Sequence, residues 1–144
     1  MTGDDLYQDE IVARAKAGAA DTRLDPHDAR ATVDNPLCGD RVTLDLRLAA
    51  DGRVAQIGHR TRGCALCQAS AETLRRCAPG LPRAEAPAMR DAVAAFLHAG
   101  AALPERFGDF AAFAPVRAYP SRQSCVLLPL DALAEVAADD PAGR

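Results

Sequence analysis

The chain has 144 residues, of which 49% are hydrophobic and 26% charged, with a formal net charge of −3. That balance fits one globular domain spanning residues 1–144 and excludes a disordered or low-complexity chain. It also argues against a nucleic-acid partner, whose phosphates favour a basic face. With two Tyr, four Phe and no Trp, the core must rest on Leu, Val and Ala, and a bound metal would add stability that aromatic burial does not supply. No run approaches the roughly 20 apolar residues of a bilayer span. The acidic opening MTGDDLYQDE has no apolar segment of the secretory kind. A cytoplasmic protein with reduced thiols and no membrane partner is therefore expected. Five cysteines in such a setting point to metal or thiol chemistry before disulfides.

In chain order, residues 4–19 carry Tyr7, Ile11, Ala15 and Ala19 at helical spacing, with Asp4, Asp5, Asp9 and Glu10 at the end where the helix dipole favours negative charge. Residues 21–37 read as a loop broken by Pro26 and Pro36. In residues 41–48, RVTLDLRL, apolar Val42, Leu44, Leu46 and Leu48 alternate with polar partners, which predicts a strand. Asp51-Gly52 marks a hairpin turn. The return strand covers about residues 53–60, and its imperfect alternation predicts a bulge. A third strand requires residues 31–37, or those after 57, to join the sheet. From Cys64 to Cys77 the period is helical until Pro79, Gly80 and Pro82 end it. Residues 85–99 form a further helix, with Pro87 in its first turn. Residues 104–121, with four prolines, read as irregular with at most one helical turn. Residues 129–138 form a last helix opened by Pro129. The expected fold is α+β: a small antiparallel sheet packed against several helices.

Three segments bring together residues able to do chemistry. In Asn35-Pro36-Leu37-Cys38-Gly39-Asp40, the glycine lets the backbone turn between two donor side chains. In Gly63-Cys64-Ala65-Leu66-Cys67, Cys64 falls at a helix N-terminus, where free N–H groups and the dipole stabilise a thiolate. In Arg122-Gln123-Ser124-Cys125, the cysteine lies just before the last helix. Cys38, Asp40, Cys64 and Cys125 would make an S3O set suited to zinc, while a ferrous ion or an iron–sulfur cluster could use the same thiolates. Spacing does not choose among them. Cys64-x-x-Cys67 also has the spacing of a redox pair, but no βαβ unit surrounds it, so Cys67 reads as a spare buried thiol or an auxiliary sulfur acceptor. Cys77 lies on an apolar helix face and reads as core. His27, His59 and His98 have no cysteine neighbour and read as packed or surface residues. Arg53, Arg60 and Arg62 read as a solvated strand face before a basic patch.

These segments resemble the iron–sulfur scaffold family named IscU or NifU N-terminal, most closely its SufU branch. Residues 35–40 match the NPxCGD motif, residues 63–70 match GCxxxxAS, and residues 122–129 are similar to the last-cysteine segment, all in family order across nearly the whole chain. The resemblance implies that Cys38, Cys64 and Cys125 bind the metal or cluster, with Asp40 as the accompanying carboxylate. Where the IscU branch has a histidine before the last cysteine, this chain has Ser124. The SufU branch also lacks that histidine and has a longer segment between its second and third cysteines, as here.

By that resemblance the protein is a zinc-dependent acceptor of persulfide sulfur from a SufS-like, pyridoxal-phosphate-dependent cysteine desulfurase. Cys38 would be the residue that takes the sulfur and passes it to downstream iron–sulfur assembly or apoproteins. Gln68, Ser70 and Arg122 would shape or charge the rim. Two other functions remain open: a scaffold that transiently assembles a [2Fe-2S] cluster, and a structural zinc protein that activates a desulfurase without carrying sulfur.

Overall fold

A computed structural model describes residues 8–138. The elements are α1 (Asp9–Gly18), β1 (Ala29–Asn35), β2 (Asp40–Leu48), β3 (Val54–Arg62), α2 (Ala65–Cys77), α3 (Ala86–Ala99) and α4 (Pro120–Ala138). Short 3-10 stretches cover Arg83–Glu85 and Glu105–Ala118. The strands form one antiparallel sheet in the order β1-β2-β3. The expected α+β class is the observed one. The part of the first predicted helix before residue 8, and the chain beyond 138, lie outside the described residues.

The alternation in β2 works as a sorting device. Val42, Leu44 and Leu46 are buried on the inner face, opposite Val33, Ala31 and Ala29 of β1. The helices cover that face. Ile57 of β3, Leu66 and Leu74 of α2, Leu97 of α3 and Leu130 and Leu133 of α4 join the same core. The register slips between Arg47 and Leu48, which is the irregularity expected beside the hairpin. Gly52 in that turn has φ +83°, a conformation L side chains rarely adopt.

Three expectations change. Residues 29–35 are a strand, not part of a loop, so the condition for a third strand is met. Its inward residues include Ala29 and Ala31, whose small side chains give a weak alternation signal. The segment Glu105–Ala118 is helical rather than irregular. Phe107, Phe110, Phe113 and Val116 recur every third residue, the period of a 3-10 helix, and all four are buried. Their ring centroids stack 5.6 and 5.7 Å apart along this ridge.

The last helix begins at Pro120, not at Pro129. Cys125 is thus inside α4 instead of before it. Pro129 lies mid-helix, where its missing N–H deprives the Cys125 carbonyl of its usual i+4 donor. The buried apolar side chains along this helix, including Val126, Leu127, Leu130 and Leu133, outweigh that loss.

Candidate metal centre

The site lies where the β1–β2 turn, the entry to α2 and the first half of α4 meet. Asn35 organises the turn. Its backbone carbonyl accepts from the N–H groups of Cys38 (3.3 Å) and Gly39 (2.8 Å). Its side-chain oxygen accepts from the Leu37 N–H at 3.0 Å, and its amide nitrogen donates to Ser124 Oγ at 3.0 Å. Gly39 has φ +75°, so the turn between Cys38 and Asp40 uses the freedom expected of glycine there. The loop presents Cys38 to solvent and Asp40 to the interior, where Asp40 is 4% exposed.

Asp40 connects this turn to α2. One carboxylate oxygen accepts from the Cys64 N–H at 3.2 Å, and the other lies 3.6 Å from the Cys64 sulfur. That approach depends on Gly63. A Cβ at Gly63 would lie 2.5 Å from Asp40 Cγ and 2.6 Å from Oδ1, well inside contact distance. Cys64 occupies the N-cap of α2 in an extended conformation, as the sequence predicts for that position.

The Cys38 sulfur, an Asp40 carboxylate oxygen and the Cys125 sulfur all lie within 4.8 Å of one another. Cys64 adjoins this triad through Asp40, to which its backbone N–H and its sulfur both point. The neighbouring Cys125 thiol brings the Cys64 thiol down to about 7, against the opposing effect of burial, and the N–H groups of Cys67 and Leu66 add to the lowering. Cys125 is pushed up by the adjacent Cys64 sulfur and by burial. Four residues from three distant segments therefore converge, with Cys38 on the open side.

The other cysteines do not join the cluster. Cys67 is fully buried, and burial keeps its thiol protonated, with the nearby Asp40 charge adding to the effect. This placement favours a spare core thiol over an exposed redox pair. Cys77 is partly buried, and burial pushes its thiol up to about 12. The histidines stay apart too. His59 is buried on the inner sheet face, its Nδ1 2.9 Å from Thr61 Oγ1.

Ser70, expected at the rim, is fully buried and donates to the Val126 carbonyl at 2.5 Å. It fastens α2 to α4 below the site. The tie from Asn35 to Ser124 is a feature that motif reading did not isolate. An asparagine before Pro36, at a strand end, was the available signal.

The donor chemistry suits a borderline-soft cation: two sulfurs and one carboxylate oxygen are already gathered, and the Cys64 sulfur adjoins them through Asp40. Ser124, next to Cys125 in sequence, accepts from the Asn35 amide and ties the turn to α4.

This fold and thiol-rich site define a scaffold-type domain of iron–sulfur cluster assembly. Residues 6–126 match the NifU-like N-terminal domain, and the chain belongs to that family. A NifU-like protein (N-terminal) from Brucella abortus is 38% identical, with a TM-score of 0.82, over 92% of each chain. A SUF-system iron–sulfur cluster assembly scaffold protein from Fervidobacterium islandicum AW-1 has the same fold, with a TM-score of 0.82 at 24% identity, over 94% of this chain and 99% of that one. No curated protein sequence matches the chain. Among the described residues no helix is long and apolar enough to cross a membrane.

Proposed function

We propose that this protein accepts sulfane sulfur on Cys38 from the persulfide of a cysteine desulfurase, and that Cys38, Asp40, Cys64 and Cys125 hold zinc between transfers. Scaffold proteins of this family work with cysteine desulfurases; the SufS-like kind is the partner proposed here. The observation that carries the reading is the close Cys38–Asp40–Cys125 group, adjoined by Cys64 through Asp40, with the Cys38 sulfur exposed. Asp40 and Cys125 are buried, whereas Cys38 stands on a turn where a partner can reach it.

When bound, zinc would keep the cysteine sulfurs deprotonated and the four segments together. The transfer itself is a thiol–persulfide exchange. The Cys38 thiolate attacks the outer sulfur of the donor persulfide, forming a new S–S bond. The donor's own S–S bond breaks, and its cysteine leaves as a thiolate. No external oxidant or reductant is needed, and a thiolate is the competent nucleophile. The buried carboxylate and the Cys64 N–H bonded to it hold the rest of the site in place during this exchange.

Anaerobic purification followed by metal and acid-labile sulfide analysis tests the reading. One zinc per chain, no sulfide and transfer of labelled sulfur to Cys38 are expected. Labelled sulfur retained by Cys38→Ala would overturn the acceptor assignment. Two irons with matching sulfide would favour a [2Fe-2S] scaffold, a reading supported by the family's scaffold members.

A further inference from the structure

The outer face of the sheet carries a local positive surface at the same end as the cysteine cluster. On β2, Arg41 and Thr43 point outward; on β3, Arg60 and Arg62 do so, and all three arginines are exposed. The register places Arg41 directly opposite Arg62, and Thr43 opposite Arg60. Like charges facing each other across a strand pair destabilise a sheet, so folding alone gives no reason for this pair. With Arg23 from the preceding loop, these residues line a shallow groove of about 150 Å³.

Not all of this charge is neutralised within the chain. Asp34 holds Arg41 at 2.7 Å and Asp21 holds Arg23 at 2.7 Å. Arg60 helps to lower the Asp21 carboxyl but makes no ion pair with it. Among the described residues the side chains of Arg60 and Arg62 make no hydrogen bond or salt bridge. Two unpaired cations therefore stand together on a chain whose net charge is −3. Chain geometry limits Arg62 to about 7 Å from Cys64, and Arg60 to about 14 Å.

A second exposed feature stands at this end. Leu37 is 89% exposed, the one large hydrophobic side chain so exposed among the described residues. It precedes Cys38 on the turn whose far strand begins Asp40-Arg41. A lone exposed leucine would be ordinary on a protein surface. It adjoins the accessible thiol, and its turn leads through Asp40 into Arg41, whose cross-strand partner is Arg62, so both features stand at one end of the sheet.

We infer that Leu37 and the Arg41–Arg60–Arg62 face form the docking surface for the sulfur donor, which meets them with a shallow apolar pocket bordered by a carboxylate-bearing segment. This rests on the sulfur-acceptor reading above. Arginine forks pair carboxylates bidentately, and an acidic segment running along β3 would neutralise both free guanidiniums as it brings its own thiol to Cys38. A nucleic acid fits less well. The face offers no aromatic side chain for base stacking, and two unpaired arginines are few beside the several phosphate contacts such binding uses. The arginines would act mainly on encounter rate, and Leu37 on residence time.

The test uses the intact protein and the cysteine desulfurase of its source organism. Association and dissociation are followed by biolayer interferometry from 50 to 500 mM NaCl, beside transfer of sulfur from labelled cysteine. Arg60→Glu/Arg62→Glu should raise Kd at least tenfold at low salt, mainly through slower association. That gap should shrink to under twofold at 500 mM NaCl. Leu37→Ser should speed dissociation at every salt concentration. A charge-matched control, Lys16→Glu/Arg106→Glu, should bind like the unaltered protein. The milder Arg60→Gln/Arg62→Gln should show the same trend, and it serves if the reversed charges disturb folding.

Equal binding by the arginine variants, with sulfur still transferred to the unaltered protein, overturns the docking surface and leaves the acceptor reading standing. No binding and no sulfur transfer by the unaltered protein overturns both. Retention of a labelled single-stranded oligonucleotide through Arg60 and Arg62, without desulfurase binding, replaces the inferred partner with a nucleic acid.

Discussion

Gly63→Ala adds one methyl group and should dismantle the metal centre. The new Cβ would sit 2.5 Å from Asp40 Cγ and 2.9 Å from Asp40 Cβ. Asp40 cannot swing away cheaply, because it is buried at the start of β2 and paired with Asn35 across the sheet. Overpacking of this kind costs about 2 kcal/mol. Displacing the carboxylate also removes its bond from the Cys64 N–H, worth about 1.5 kcal/mol for a charged acceptor. The sum, about 3.5 kcal/mol, corresponds to a fall in Tm of about 10 °C for a domain of this size. Thermal unfolding followed by circular dichroism in EDTA measures this fold-only effect, and competition with a chromophoric chelator should show zinc affinity falling at least tenfold. Gly108→Ala is the matched control. A Cβ there meets nothing within 4 Å, so stability should hold or rise slightly. A Gly63→Ala protein with unchanged Tm and zinc affinity would refute the claim that Asp40 needs this space.

Ser124→Ala should lower stability by about 1 kcal/mol in a urea titration by removing the Asn35 tie, while zinc stoichiometry stays at the level of the unaltered protein. Alkylation of metal-stripped protein, mapped by mass spectrometry, should label exposed Cys38 first and buried Cys67 only on unfolding. Burial alone would raise Glu72, but bonds from Arg75 (2.6 Å) and Arg76 (2.9 Å) outweigh it and hold the carboxyl below its ordinary value. A depressed carboxyl contributes stability above its unfolded pKa and loses it as pH falls through the folded one. The urea midpoint should therefore drop below about pH 4.5, the ordinary glutamate value, and Glu72→Gln should show a smaller drop over the same range. Phe110→Ala should cost about 3–5 kcal/mol, since the ring is fully buried between Phe107 and Phe113.

Much of the fold was legible wherever side-chain size and period agreed. The β2 alternation uses Val and Leu, and the α2 signal begins at a cysteine that does occupy the N-cap position. β1 was hidden because its core contacts come from alanines, and because the segment covering Asp45 precedes it. Asp45 is fully buried on the outer face under that segment, where it accepts from the Leu24 N–H at 2.9 Å and pairs with Arg30. No local pattern announces a carboxylate buried on an outward position. The start of α4 was misplaced because Pro129 reads as a helix opener, while in fact the helix already runs through it. The site residues were legible as motifs, and their convergence was not. Nothing in the spacing of Cys38, Cys64 and Cys125 states that a turn, a helix cap and a helix interior meet. Only the packing of α4 against β1 and α2 brings them together.

That packing has a consequence for the order in which the molecule is made. Cys38, Asp40 and Cys64 leave the ribosome well before Cys125, which travels on the last described helix. During that interval the earlier donors can gather around the β1–β2 turn, but the cluster lacks its buried third sulfur. Only after α4 docks can a cation be gripped from all sides. Metal uptake during synthesis would therefore mark the docking of α4 onto the sheet, and nascent chains stalled before Pro120 should leave zinc in the medium.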